Sequence, residues 1–213
     1  MLGVLVLFTV GVIAALAGVG YIVAIAATGP DIGELKPIDK GESSAIYAAD
    51  GSLLGFVQSD VVRQERPWRD IPDELKQGTV AIEDERYYEH GGVDPEGIVR
   101  AAVKNITSGS TVQGGSTITQ QLVRALYIHD PKQDIKRKIR EAKLAQELET
   151  KHSKRWILEQ YLNSVPYGTV GGRTALGAEA ASQVYFSKHA KDLTLPESAM
   201  LAGLPQAPSQ YNP

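Results

Sequence analysis

The chain has 213 residues, of which 43% are hydrophobic, and it carries a formal net charge of −3 with no cysteine. This composition excludes a wholly disordered chain, disulfide bonds and thiolate zinc sites, and the net charge argues against a general nucleic-acid-binding protein. The apolar residues are unevenly spread, because Met1 to Ala27 contains no charged side chain and the first one is Asp31. The sequence therefore divides into an apolar N-terminal segment and a polar body large enough to form a core.

Residues 1–28 are predicted to form a transmembrane anchor. At about 1.5 Å per residue, an uncharged helix of this length spans roughly 40 Å, against roughly 30 Å of bilayer hydrocarbon. A cleaved signal peptide, suggested by the small residues Ala24-Ile25-Ala26, and a buried core helix are the alternatives. No Lys or Arg lies on the short side of the segment, so the charges do not determine its orientation.

Residues 29–70 are predicted to connect the anchor to the main domain. Residues 29–44 are polar with mixed charges, which is typical of a linker. Residues 45–70 are expected to hold a β-hairpin and more linker, because Asp50-Gly51 separates two strand-like runs at 45–47 and 53–56.

Residues 71–213 are predicted to form a mainly α-helical domain. Local start signals support several helices: Thr117 and Gln120 match a capping box, and Asp130-Pro131 and Ser153 are favourable N-terminal residues. The helices are expected at 72–84, from 94 to about 106, from 117, from 130 to about 149, from 153, at 174–185 and at 196–202. The predicted fold class is therefore mainly α with one small β-hairpin.

The densest polar cluster follows the apolar run 80–82 and begins with Glu83-Asp84. Glu83 is thus the acid expected at the end of a buried helix, where burial raises a carboxyl pKa and suits it to act as a base. A solvated helix terminus is the simpler alternative. A metal site formed by Glu83, Asp84 and His90 is also open, although the spacing is not diagnostic.

Two further segments are candidates for binding an anion. Residues 113–121 run from small residues into a helix N-terminus, where free N–H groups can face a phosphate. Residues 132–155 contain nine Lys or Arg, with Lys138 and Glu141 on one helix face. The simpler alternatives are an ordinary capped helix and a solvated helix with surface salt bridges.

Taken in order, these segments resemble the peptidoglycan glycosyltransferase domain, glycosyltransferase family 51, of class A penicillin-binding proteins and monofunctional glycosyltransferases. The likeness runs from about Ile46 to Pro213, with Tyr87 at a usual Phe position and Pro166 after the fourth motif as departures. Its five motifs are Glu83-Asp84-x-x-Tyr87-Tyr88-x-His90-x-Gly92, Gly114-Gly115-Ser116-Thr117-Ile118-Thr119-Gln120-Gln121, Arg137-Lys138-x-x-Glu141 with Ala145, Leu148 and Glu149, Ile157-Leu158-Glu159-x-Tyr161-Leu162-Asn163, and Ala178 to Lys188 followed by Leu201 to Ser209.

The resemblance implies a lysozyme-like helical fold and the polymerisation of lipid II into β-1,4-linked glycan, with inversion and release of undecaprenyl diphosphate. It assigns Glu83 as the catalytic base, and Glu141 as a second catalytic carboxylate near the diphosphate and a divalent cation, Mg²⁺ or Mn²⁺. Arg124 and Lys138 would hold the diphosphate, and Lys132 would align with a further phosphate-binding residue. The other residues expected at the substrate are Asp84, Ser116, Thr117, Gln120 and Gln121.

The resemblance also implies a single-pass protein of the bacterial cytoplasmic membrane, with its catalytic domain on the extracytoplasmic face. Its partners would be lipid II, the lipid-linked glycan strand, the membrane and other cell-wall synthesis proteins. We expect a truncated class A protein, with a monofunctional enzyme as the alternative, and no acylation by penicillin, because Ser-x-x-Lys and Lys-Thr-Gly are absent. A lysozyme-like hydrolase and a non-catalytic membrane-anchored scaffold are the rival functions.

Overall fold

A computed structural model describes residues 2–38, 41, 43–57, 61–108, 114–128 and 134–206. The helices are α1 (Leu2–Thr28), α2 (Asp73–Glu83), α3 (Pro95–Ser108), α4 (Ile118–Tyr127), α5 (Ile135–Lys151), α6 (Lys154–Ser164), α7 (Ala178–Phe186) and α8 (Leu195–Gly203). The strands are β1 (Ala45–Tyr47), β2 (Leu53–Phe56), β3 (Val61–Arg63), β4 (Pro166–Val170) and β5 (Arg173–Leu176). The prediction of a mainly α fold is confirmed.

The N-terminal helix α1 has no acidic residue in its first turn and no basic residue in its last. Within the described residues, its segment Val6–Thr28 is the one helix long and apolar enough to cross a membrane, and none of that segment is buried against the protein. The polar composition of residues 29–44 predicted a linker, but part of this segment packs against the helical domain. Ile32 is buried in the core, and the Ile38 N–H donates to the Leu126 carbonyl at 2.6 Å.

The predicted hairpin is confirmed, since β1 and β2 pair antiparallel around the Asp50-Gly51 turn. A second, three-stranded sheet was not predicted: β5 lies in the middle, parallel to β3 and antiparallel to β4. The prediction of helix over 174–176 is therefore wrong. Residues 174–176 belong to β5, and the helix begins only after Gly177, whose φ is +83°.

The core lies where α4 packs against α5 and α6, with α2 packed against α8. Leu122, Leu148 and Leu158 are almost fully buried between the first three helices, and Leu75 and Leu201 between the other two. The predicted capping box at Thr117 and the Ser153 cap are both present. The cap of α5 is Asp134, whose side chain accepts from the Arg137 N–H, so the predicted start at Asp130 is corrected; residues 129–133, including Lys132, lie outside the described residues.

Candidate active site

Glu83 is the last residue of α2, at the floor of a cavity of ≈ 460 Å³. Its Oε2 accepts a hydrogen bond of 2.7 Å from Gln121 Nε2, while its Oε1 is buried and has no hydrogen-bond partner among the described residues. Burial raises the pKa of Glu83, and the neighbouring Asp84 charge raises it further, whereas the Gln121 hydrogen bond and the Arg124 charge act in the opposite direction. The carboxylate is therefore oriented by one oxygen and has the other free to take a proton.

Gln121 is itself held by Tyr161, a fully buried residue of α6. The Tyr161 hydroxyl donates to Gln121 Oε1 at 3.3 Å, which fixes the direction of the amide so that its NH₂ group faces Glu83. Burial raises the pKa of Tyr161 well above its usual value, with a further contribution from the Glu83 charge. The tyrosine therefore stays protonated at neutral pH, and its hydroxyl keeps donating to Gln121.

Asp84 joins the first two motifs. Its Oδ1 lies 2.8 Å from His90 Nε2, and its Oδ2 accepts the backbone N–H of Ile118, the first residue of α4, at 3.0 Å. Both oxygens are therefore occupied by protein, although Asp84 does line the cavity. These contacts fit a role in positioning the N-terminus of α4 beside Glu83 better than a role in binding substrate directly.

Thr117 and Gln120 are likewise held by hydrogen bonds within the protein. Thr117 Oγ1 donates to the Gly92 carbonyl at 2.6 Å and accepts from the Gln120 N–H, while Gln120 Oε1 accepts from the Thr117 N–H at 3.1 Å. Thr117 borders the cavity, but Gln120 is buried and is not among the lining residues. The structure therefore places Gln120 in the helix cap, outside the lining of the cavity.

Glu141 is completely buried, and three cationic side chains surround it. Arg137 Nε lies 3.1 Å and Arg124 Nε 3.8 Å from its Oε1, and Lys138 Nζ lies 3.2 Å from its Oε2. The Arg137 contact lacks hydrogen-bond geometry, so that attraction is coulombic. Lys138 Nζ also donates to Ser116 Oγ, which ties α5 to the loop before α4. With three positive charges around one negative charge, this cluster can still attract an anion.

The cavity that holds Glu83 meets the cluster around Glu141 at Arg124, whereas Lys138 and Glu141 are not among its lining residues. Arg124 lines it beside Ser116 and Gln121, and Arg100 and Lys104 of α3 add two more positive charges. The same lining also carries the acids Asp84, Glu85 and Asp94, so the positive charge is local to Arg100, Lys104 and Arg124. A base with cations in the same cavity suits a reaction in which a hydroxyl loses a proton while an anionic group departs.

The residues do not fit a divalent cation held by the protein alone. Among the described residues no group of three His, Asp or Glu side chains is arranged to bind a metal. The Glu141 carboxylate, the predicted ligand, is already surrounded by Arg124, Arg137 and Lys138. A dication placed there would face three positive charges.

A family profile described as Transglycosylase matches residues 50–213. Penicillin-binding protein 1A of Neisseria lactamica is 42% identical over 194 residues, which cover 90% of this chain and 24% of that protein. The chain belongs to the transglycosylase family. Penicillin-binding protein 1A of Clostridium tetani (strain Massachusetts / E88) is 43% identical over 201 residues, covering 92% and 25%.

The chain thus spans about a quarter of the length of these curated relatives. Among solved structures, the 2.6 Å crystal structure of penicillin-binding protein 1A from Haemophilus influenzae shares 25% sequence identity, with a TM-score of 0.38, and the match covers 82% of this chain and 15% of that one. The resemblance inferred from the five motifs is confirmed at the level of the family, a family of peptidoglycan glycosyltransferases.

Sequence reasoning missed several residues at this transglycosylase site. Arg100 and Lys104 are four residues apart on α3, on the side away from the exposed Val99 and Val103, and that amphipathic spacing is a signal that could have identified them. Tyr161 was part of the fourth motif but was given no role, because a buried tyrosine on a helix is usually a packing residue. Its position next to Gln121 is visible only in three dimensions.

Proposed function

We propose that this protein polymerises lipid II into β-1,4-linked glycan strands and releases undecaprenyl diphosphate. The observation that carries the proposal is the free Oε1 of Glu83 in a cavity that also contains Arg124, Arg100 and Lys104. The function requires a base for a sugar hydroxyl and positive charge for a departing diphosphate, and the cavity contains both.

In the proposed reaction, the 4-hydroxyl of the incoming lipid II attacks the anomeric carbon at the lipid-linked end of the growing strand. Glu83 Oε1 takes the hydroxyl proton as the new C–O bond forms. The bond from the anomeric carbon to the diphosphate oxygen breaks, and the diphosphate leaves with the electron pair. A single displacement of an α-linked group gives a β-linked product, so the configuration inverts.

The cations around Glu141 would bind the departing group. Arg124 and Lys138 are the two members of the cluster with partly exposed side chains, 41% and 44%, whereas Arg137 is only 15% exposed. In this proposal Arg124 and Lys138 contact the diphosphate, and Glu141 fixes their position from behind. The divalent cation stays a prediction, because the part of the chain that the structure describes has no prebuilt site for it; turnover in EDTA against turnover in Mg²⁺ tests it.

The membrane would hold the enzyme beside its lipid-linked substrates. The length and composition of α1 fit a single crossing, and the catalytic body would lie on the extracytoplasmic face of the cytoplasmic membrane. On α3 the apolar residues Val99, Val103 and Ile106 are exposed, which supports a placement of this helix against the bilayer. An environment-sensitive fluorophore on Ile106→Cys, the single thiol of such a variant, should shift to the blue on adding vesicles; an unchanged spectrum would contradict this placement.

The function is tested by incubating the purified chain in detergent with lipid II. We expect release of undecaprenyl diphosphate and a polymer that a β-1,4-specific muramidase degrades. Incubation with finished glycan serves as the control for the rival hydrolase reading, because only a hydrolase shortens it. Shortened glycan with no polymer from lipid II would replace the proposal with that rival, and turnover of neither substrate would favour a scaffold.

A further inference from the structure

The segment that follows α1 is docked on α5 by specific contacts. Lys143 Nζ donates to the Gly29 carbonyl at 3.0 Å and to Asp31 Oδ1 at 2.6 Å. The Ile32 N–H donates to Glu147 Oε2 at 2.8 Å, and the Ile32 side chain is buried. The end of α1 is therefore attached to the same helix that carries Glu141.

A second cavity, of ≈ 470 Å³, lies at this junction and does not include Glu83. One part of its wall is apolar, formed by Leu35, Tyr127, Ile128 and Leu144, and another part is basic. The basic residues are Lys136, Arg137, Arg140 and Lys143.

Two of these four cations are already paired, Arg137 with Glu141 and Lys143 with Asp31. Lys136 and Arg140 are one helical turn apart, and within the described part of the chain no carboxylate lies within ion-pair distance of either. Asp134, the one acid of the lining, caps α5 through the Arg137 N–H. The cavity thus has two cations available to a ligand.

The position of the cavity along α1 indicates the depth at which it would lie. Gly29 and Pro30, directly after α1, form part of its rim. Tyr21, roughly 10 Å earlier on the helix, borders a shallow hollow together with Ile135 and Lys136. The first turns of α5 therefore run beside the last turns of α1, where lipid headgroups would be found if α1 crosses the bilayer.

We propose that this cavity binds an anionic phospholipid of the surrounding membrane. Lys136 and Arg140 would contact the lipid phosphate, and Leu35, Tyr127 and Ile128 would contact the adjoining apolar part of the lipid. A surface with both chemistries at headgroup depth matches a lipid better than it matches a free anion. The inference rests on the proposed membrane crossing of α1, and the experiment separates the two.

The experiment uses the full chain reconstituted in phosphatidylcholine vesicles. Flotation with the vesicles tests the anchor. The cavity is tested by electron paramagnetic resonance, comparing the association of spin-labelled phosphatidylglycerol with that of spin-labelled phosphatidylcholine. We expect a clear preference for phosphatidylglycerol that falls by roughly fivefold for each cation removed, in Lys136→Gln and Arg140→Gln. The matched controls, Arg69→Gln and Lys191→Gln, each remove one positive charge from an exposed site elsewhere and should keep the preference.

Several results would overturn the inference. Floating protein with equal association of both lipids would reject the lipid site and leave the anchor intact, whereas protein that fails to float would reject both. An equal loss of preference in the controls would show a general charge effect. Displacement of phosphatidylglycerol by millimolar inorganic phosphate would identify a site for a small anion, and displacement by lipid II alone would assign the cavity to the substrate.

Discussion

Glu141→Gln is the substitution that tests the arrangement of the basic cluster. It keeps the size of the side chain and removes the one negative charge facing Arg124, Arg137 and Lys138. The new amide would also present N–H groups where cations now lie. We therefore expect the variant to lose both stability and diphosphate binding.

The size of the stability loss follows from the exposure of the three cations. Removing one partner of a buried ion pair costs about 3–5 kcal/mol. Arg124 and Lys138 are 41% and 44% exposed, so water can compensate for part of their lost partner, whereas Arg137 at 15% has little access to water. We therefore expect the lower end, about 3 kcal/mol, which for a domain of this size lowers Tm by roughly 6–12 °C.

The assay is thermal unfolding in detergent followed by circular dichroism, together with binding of a labelled lipid diphosphate. Glu89→Gln is the matched control, because its carboxylate is exposed and pairs with Arg86 at the surface. Its Tm should change by a small fraction of the shift in Glu141→Gln. A Glu141→Gln variant as stable as the control would refute the claim that this carboxylate holds the cluster together.

Glu83→Gln should raise the free energy of unfolding at neutral pH, because burial raises the Glu83 pKa and ionisation of this carboxyl then destabilises the fold by about 1.4 kcal/mol per pKa unit. The gain should vanish below the pKa of Glu in the unfolded chain, near pH 4. Denaturant titrations at neutral pH and below pH 4 check this. Tyr161→Phe removes the hydrogen bond that orients the Gln121 amide, and this amide lowers the Glu83 pKa. We therefore expect kcat to fall about tenfold and the acid limb of the pH profile of kcat/KM to move to higher pH. A purely structural role of Tyr161 would leave that limb in place. Gly92→Ala should lower the free energy of unfolding by more than about 2 kcal/mol, because its φ is +77° and a Cβ would lie 2.7 Å from the backbone of α5, while Gly91→Ala has open space and should be neutral.

Local side-chain chemistry made much of the fold predictable. The capping box at Thr117, the Ser153 cap and the Asp50-Gly51 turn each depend on residues within a few positions, and all three are present. The strand at 173–176 depends instead on pairing with β3, from a distant part of the chain. Its local signal was the turn at Gly171 and Gly172, both with positive φ, between two short runs.

The candidate site was predictable in part for the same reason. Glu83 follows directly from an apolar run that ends a helix, so its partial burial could be expected from the pattern. The complete burial of Glu141 could not, because its helix face is strongly charged in sequence and the neighbouring α4 decides what is enclosed. Its assigned role came from the resemblance. Likewise the docking of Ile32 on α5 is a long-range contact that a polar linker composition concealed.

Turnover of lipid II by Glu83→Gln is the decisive test of the proposal that Glu83 is the base of a polymerising glycosyltransferase. Wild-type protein and the Glu89→Gln control should both form polymer. The Glu83→Gln variant should form none, while it keeps its helical circular dichroism and still binds lipid II. Polymer formation by Glu83→Gln at the wild-type rate would show that Glu83 is not the base.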